Sequence, residues 1–209
     1  MLPAASALGS IPNLADMDLS ALRQAASACN ACGLHAKRTH SVWCLADVPS
    51  NTERWLFVLD QPGVAENRTG QPAQGDVGRL LANMAAAVGL KPEQVLISHA
   101  LRCAPDADTR AQPQEVQTCR AWLLREIALL QPQVVLALGR QAAYAVLQST
   151  QAIGSLRGHV HAMQEPDLAH IPVVVSFPLD HLLRSPESKA KAWSDLCLAL
   201  TQTVLLKAK

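Results

Sequence analysis

Residues 55–63 read WLFVLDQPG: five apolar side chains, then an acid, an amide, a proline and a glycine. An apolar run without polar alternation predicts a strand covered on both faces. The Pro-Gly pair predicts the tight turn that ends it. Three further runs have the same character: VLISHAL (95–101), VVLALG (134–139) and IPVVVSF (171–177). Helical patterns lie between them, in DVGRLLANMAAAVGL (76–90), PQEVQTCRAWLLREIALL (113–130), GRQAAYAVLQ (139–148) and SPESKAKAWSDLCLALTQ (185–202). The last should open with Ser185 as N-cap and Pro186 at the first helical position. An earlier helix is expected in MDLSALRQAASAC (17–29), preceded by a flexible tail over 1–15. Strands alternating with helices predict an α/β fold, three layers α/β/α around a mainly parallel four-stranded sheet, as one domain over 16–209.

The chain has 209 residues, 49% of them apolar, with 18 basic against 17 acidic side chains and a net charge of +1. That balance argues against a wrapping nucleic-acid binder and leaves room for a local basic cleft. The first fifteen residues carry no Lys or Arg and two prolines, unlike a secretory signal. The longest uncharged apolar run, IALLQPQVVLALG, is too short to span a bilayer. A cytoplasmic monomer without membrane contact is therefore expected.

Ligands of parallel sheets sit at the carboxyl ends of the strands. Four loops should meet there: DQPGVAENRTGQP, RCAPDADTR, GRQ and PLDHLLRSP. Asp60 lies on this edge, as a catalytic carboxylate or as a turn former. Arg68, Arg79, Arg102, Arg157 and Arg184 recur near the loops. His159 and His161 are expected at the surface.

Cys29 and Cys32 form a CxxC pair, and Cys103 and Cys119 follow far downstream. Two thiolates three residues apart can share one metal, and the downstream cysteines offer a second pair. From the residues alone, zinc and a [4Fe–4S] cluster both fit. Cys44 and Cys197 read as buried structural thiols, Cys197 on a core stripe with Trp193, Leu196 and Leu200.

The order CNAC, LFVLDQPGVAENRTGQP, ISHALRCAP, PQEVQTC, VVLALGRQAA, SLRGHVH and VVVSFP with LLRSP resembles the iron–sulfur (type 4) uracil-DNA glycosylases from about residue 17 to 200. The resemblance implies a [4Fe–4S] cluster on Cys29, Cys32, Cys103 and Cys119, tying the N-terminal helix to the sheet. It implies a DNA-repair activity that flips and excises uracil or another base. Asp60 stands where the family has the glutamate of Gly-Glu-x-Pro-Gly, with Gln61 and Gly63 in the same substrate-binding motif. Ala73 replaces a phenylalanine that stacks on the extruded base. His99 replaces an asparagine that reads the uracil edge, and Phe177 replaces a histidine that assists departure of the base. Arg157 and Arg184 match positions near the DNA backbone.

A lost stacking ring removes about 1–3 kcal/mol per base, and a lost donor to the leaving group about 10²-fold in rate. Weakened uracil excision is thus expected, with a pocket retuned for another base. The alternative expectation is a catalytically inactive member that serves as a partner subunit in DNA repair or replication.

Overall fold

The computed structural model describes residues 8–44, 53–107 and 109–207. The four expected strands are present as β1 (Trp55–Leu59), β2 (Val95–His99), β3 (Val134–Leu138) and β5 (Pro172–Ser176). A fifth, short strand, β4 (Val160–Ala162), pairs antiparallel with β5 and makes the sheet order β2-β1-β3-β5-β4. The expectation of four strands is therefore one short. Three residues at a sheet edge, two of them solvent-exposed, give no periodic signal to read.

The remaining pairings are all parallel. Chain order reverses at β1, which carries β2 on one side and β3 on the other, so the crevice beyond the ends of β1 and β3 is the topological switch point.

Both faces of the sheet are apolar, which explains the missing alternation. Leu56, Val58, Val135, Ala137, Val173 and Val175 pack in one core with α1 (Leu19–Ser27), α4 (Pro113–Leu130), α5 (Arg140–Leu147) and α6 (Ile153–Leu156). Trp55, Phe57, Leu136, Leu138 and Val174 pack in the other with α3 (Gly75–Ala87), α7 (Leu179–Arg184) and α8 (Lys189–Lys207). These two cores make the three layers.

Helix α1 is capped by Asp18, whose Oδ1 accepts the Ala21 N–H at 2.8 Å. Residues 1–7 of the expected tail lie outside the described residues. From residue 8 the chain runs without regular structure to α1, with Leu14 in the core and the Gly9 N–H donating to the Asn30 carbonyl.

Three helices went unread, α2 (Val64–Thr69), α6 and α7, because four to six residues are too few for a periodic stripe. The last helix also departs from expectation. Pro186–Ser188 form a 3₁₀ turn after Ser185, whose side chain makes no cap, and α8 proper starts at Lys189. Its buried face is Ala192, Asp195, Leu196, Ala199 and Thr203, whereas Trp193 is 47% and Leu200 36% exposed. Of the expected Trp193/Leu196/Leu200 stripe, Leu196 is core and Trp193 and Leu200 are not, and Cys197 is half-buried beside them.

Arg102, expected near a loop, is buried. It donates to Glu126 Oε2 at 2.8 Å and to Ser98 Oγ at 2.9 Å, with its guanidinium 4.1 Å from the Trp43 ring centroid. Cys44 is buried as expected. His159 is exposed, and the half-buried His161 donates from Nε2 to the Leu156 carbonyl. No helix among the described residues is long and apolar enough to cross a membrane.

Candidate active site

A cleft of about 630 Å³ opens at the switch point. Leu59, Asp60, Gln61, Gly63, Glu66, His99, Arg110, Leu138, Gln141, Asp180 and Arg184 are among its walls. Asp60, Gln61, Gly63, His99 and Arg184, named from sequence, are thus brought together. Ala73, Phe177 and Arg157 are not.

Asp60 directly follows β1, and its position is set by β3. Its Oδ1 accepts the Ala142 N–H at 3.0 Å, in the first turn of α5. Gly139, the N-cap of α5, has φ +129, and a Cβ there would lie 2.2 Å from Asp60 Oδ1. Only glycine leaves room for the carboxylate. Burial pushes the Asp60 carboxyl up to about 6, against the amide N–H groups of Ala142 and Gln141 and the Arg110 charge, which pull it down. At neutral pH the group is still ionised, and it titrates within reach of physiological pH.

Gln61 does not face a substrate with its amide. Its Nε2 donates to the Thr109 carbonyl at 2.8 Å, and its Oε1 accepts the Ala111 N–H at 2.9 Å. Gln141 Nε2 donates to the Ala111 carbonyl. Two glutamines therefore strap the loop after β2 across the cleft.

Gly63 opens α2, and its N–H donates to Glu66 Oε2 at 2.6 Å. Glu66 Oε1 accepts the Ala73 N–H at 2.5 Å and the His99 Nε2–H at 3.2 Å. Burial disfavours the charge on Glu66, but the His99 ring and the two amides outweigh it and hold the carboxyl below its ordinary value. The ionised carboxylate fixes the tautomer of His99, which is 1% exposed at the end of β2. The His99 ring is thereby held through its Nε2.

Ala73 sits at φ +52 with Gly75 at φ +65, and packs on the core beneath α3. Phe177 lies between the His181 ring, 5.0 Å away, and the Arg157 guanidinium, 4.4 Å away. Arg157 donates from Nε to Asp195 Oδ2 at 2.7 Å and from Nη2 to the Lys191 carbonyl. Its charge is engaged inside the domain. Arg184 pairs with Asp180 at 2.8 Å on the surface. No Phe, Tyr or Trp is among the described residues that line the cleft.

Cys29, Cys32, Cys103 and Cys119 line one small cavity with Arg38, Arg102 and Trp122. Arg38 Nη1 donates to Cys103 Sγ at 3.3 Å, and the Arg102 backbone N–H to Cys119 Sγ at 3.2 Å. Burial pushes the Cys32 and Cys103 thiols up, and that of Cys119 up to about 12, so their protons must leave when a metal binds. Among the described residues no three Cys, His, Asp or Glu side chains are arranged to hold a single metal ion. Four sulfurs around one cavity, with N–H donors on two of them, are a donor set of the kind that holds a metal centre, a single ion or a cluster.

Sequence reasoning missed Glu66, Gln141 and Arg110. Glu66 had a signal, a carboxylate three residues after the Gly63 N-cap, which is the spacing of a capping box. Gln141 and Arg110 had none beyond their place on the expected loops.

A sequence profile described as "Uracil DNA glycosylase superfamily" matches residues 46–197. A type-4 uracil-DNA glycosylase of Archaeoglobus fulgidus is 31% identical over 140 residues, 65% of this chain and 69% of that protein. One from Pyrobaculum aerophilum is 25% identical over 189 residues, 87% of this chain and 93% of its own length. A third, from Thermotoga maritima, is 33% identical over 132 residues, 63% and 67% of the two chains.

Proposed function

Because the chain belongs to the uracil DNA glycosylase superfamily, we propose that it binds DNA, takes an extruded base into the switch-point cleft and excises it slowly. The observation that carries this reading is the Asp60 carboxylate, seated at the switch point on the N-terminus of α5 and partly open to the cleft.

In such a cleavage the bond between C1′ and the base nitrogen breaks, and its electron pair leaves with the base. The sugar becomes oxocarbenium-like, and water adds to C1′. Asp60, ionised at neutral pH, stabilises that cation and accepts the proton of the water. The base leaves as an anion that needs a donor. Phe177 offers none, and His99 directs its Nε2–H to Glu66. The chemical step is accordingly slow, and the selectivity for uracil over other bases is reduced.

Cys29, Cys32, Cys103 and Cys119 are the residues that hold a [4Fe–4S] cluster in this proposal. When bound, it ties the loop after α1 to β2 and α4 and takes no part in breaking the glycosidic bond. Zinc is the competing occupant.

A second reading, a non-catalytic subunit that binds a DNA-repair or replication protein, is favoured by one observation. Phe177 and Arg157, at positions of reaction and DNA contact in the resemblance, support each other and Asp195 instead. A base-release assay across DNA substrates bearing uracil and other altered bases separates the two. It is run beside the variant Ala73→Phe/His99→Asn/Phe177→His. Release by the unaltered chain supports the first reading, and release by the variant alone supports the second.

A further inference from the structure

We propose that Arg110 is the residue that grips a DNA phosphate at the mouth of the cleft, in place of Arg157. The inference rests on the DNA-binding reading above and deepens it.

The cleft is poorly equipped for a polyanion. Asp60, Glu66 and Asp180 line it, and among the described residues the opposing guanidinium groups there are Arg110 and Arg184. Arg184 is paired with Asp180. Arg157 lies outside the lining and is held by Asp195, the Lys191 carbonyl and the Phe177 ring. Withdrawing it to contact a phosphate would leave the Asp195 carboxylate, 1% exposed, without its cation.

Arg110 is in the opposite state. It is exposed, it lines the cleft, and no hydrogen bond or close ion pair engages it among the described residues, so that its charge acts on Asp60 only at a distance. Its backbone is nevertheless fixed. The Thr109 carbonyl before it is held by Gln61, and both polar backbone groups of Ala111 after it are held by Gln61 and Gln141. A free guanidinium on an immobilised backbone loses little entropy on binding, and its planar fork matches two phosphate oxygens. Gln61 thereby acts on DNA through Arg110 and not by touching the base.

The test is the salt dependence of binding to a fluorescein-labelled single-stranded oligodeoxynucleotide, read by fluorescence anisotropy. Each phosphate contact makes the slope of log K against log salt more negative by about 0.7 for single strands. Arg110→Ala should make the slope shallower by about that amount, and Arg110→Lys should restore most of it. Arg157→Ala should keep the slope while lowering the unfolding temperature. An unchanged slope in Arg110→Ala, or a slope lost in Arg157→Ala at native fold, overturns the assignment. Absence of binding by the unaltered chain at low salt overturns the DNA-binding reading, and this inference with it.

Discussion

The carboxylate of Asp60 occupies the space that a side chain at residue 139 would need, and Gly139 at φ +129 makes way for it. Strand β1 therefore delivers an acid onto the first turn of the helix that follows β3. The relationship ties the candidate catalytic group to the sheet itself.

Gly139→Ala should destabilise the domain by at least the strain of an unfavourable backbone, about 1–3 kcal/mol, with the clash against Asp60 added. Urea unfolding measures it. Combining Gly139→Ala with Asp60→Gly should recover the part due to the clash, so the two changes should be non-additive. Additive losses would show that the carboxylate does not sit there.

The stability of the chain should fall between about pH 4 and pH 6 relative to Asp60→Asn. Asp60 has its carboxyl raised from 3.8 to about 6 in the fold. In that window the unfolded chain has released the proton and the native one still holds it, so rising pH favours unfolding. Two units at about 1.4 kcal/mol each set the loss at up to about 3 kcal/mol, with a flat profile above pH 6. Asn keeps an oxygen for the Ala142 N–H and removes the titration. Parallel stability curves for the two proteins would count against a buried Asp60.

Arg102 and Glu126 form a buried ion pair with Ser98 between them. Arg102→Met should cost about 3–5 kcal/mol by leaving a buried carboxylate without its partner. The double change Arg102→Met/Glu126→Leu should regain most of it. Denaturant midpoints at constant m-value give both numbers.

Anaerobically purified protein should contain iron and acid-labile sulfide. Cys29→Ser, Cys32→Ser, Cys103→Ser and Cys119→Ser should each lower the iron content, whereas Cys44→Ser and Cys197→Ser should leave it unchanged. Zinc without sulfide in the unaltered protein would replace the cluster with a single-ion site.

The layers were legible because buried parallel strands such as Trp55–Leu59 are written as continuous apolar runs, and because α4 is long enough to show its stripe. The gathering of Cys29, Cys32, Cys103 and Cys119 at one cavity was legible through the CxxC pair together with the family resemblance. The edge strand β4 and the short helices α2, α6 and α7 were not, since three to six residues carry no period. The site was legible as to place and not as to partners. Asp60, His99 and the loops could be put at one sheet edge, but nothing in the chain order says that Gln61 would strap Thr109 and Ala111, or that Glu66 would hold His99. Arg157 shows the limit most clearly. Its sequence context resembles a family position near the DNA backbone, and its contacts with Asp195 and Phe177 are made by tertiary packing alone.

The central claim is that Asp60 performs base excision in this cleft. Free-base release from uracil-containing and otherwise altered DNA, measured for the unaltered chain and for Asp60→Asn under single-turnover conditions, tests it most directly. The account predicts slow release that rises with pH through about 6 and falls by about 10²-fold or more in Asp60→Asn. Release that is unchanged in Asp60→Asn, or no release from any substrate at any pH, would contradict it.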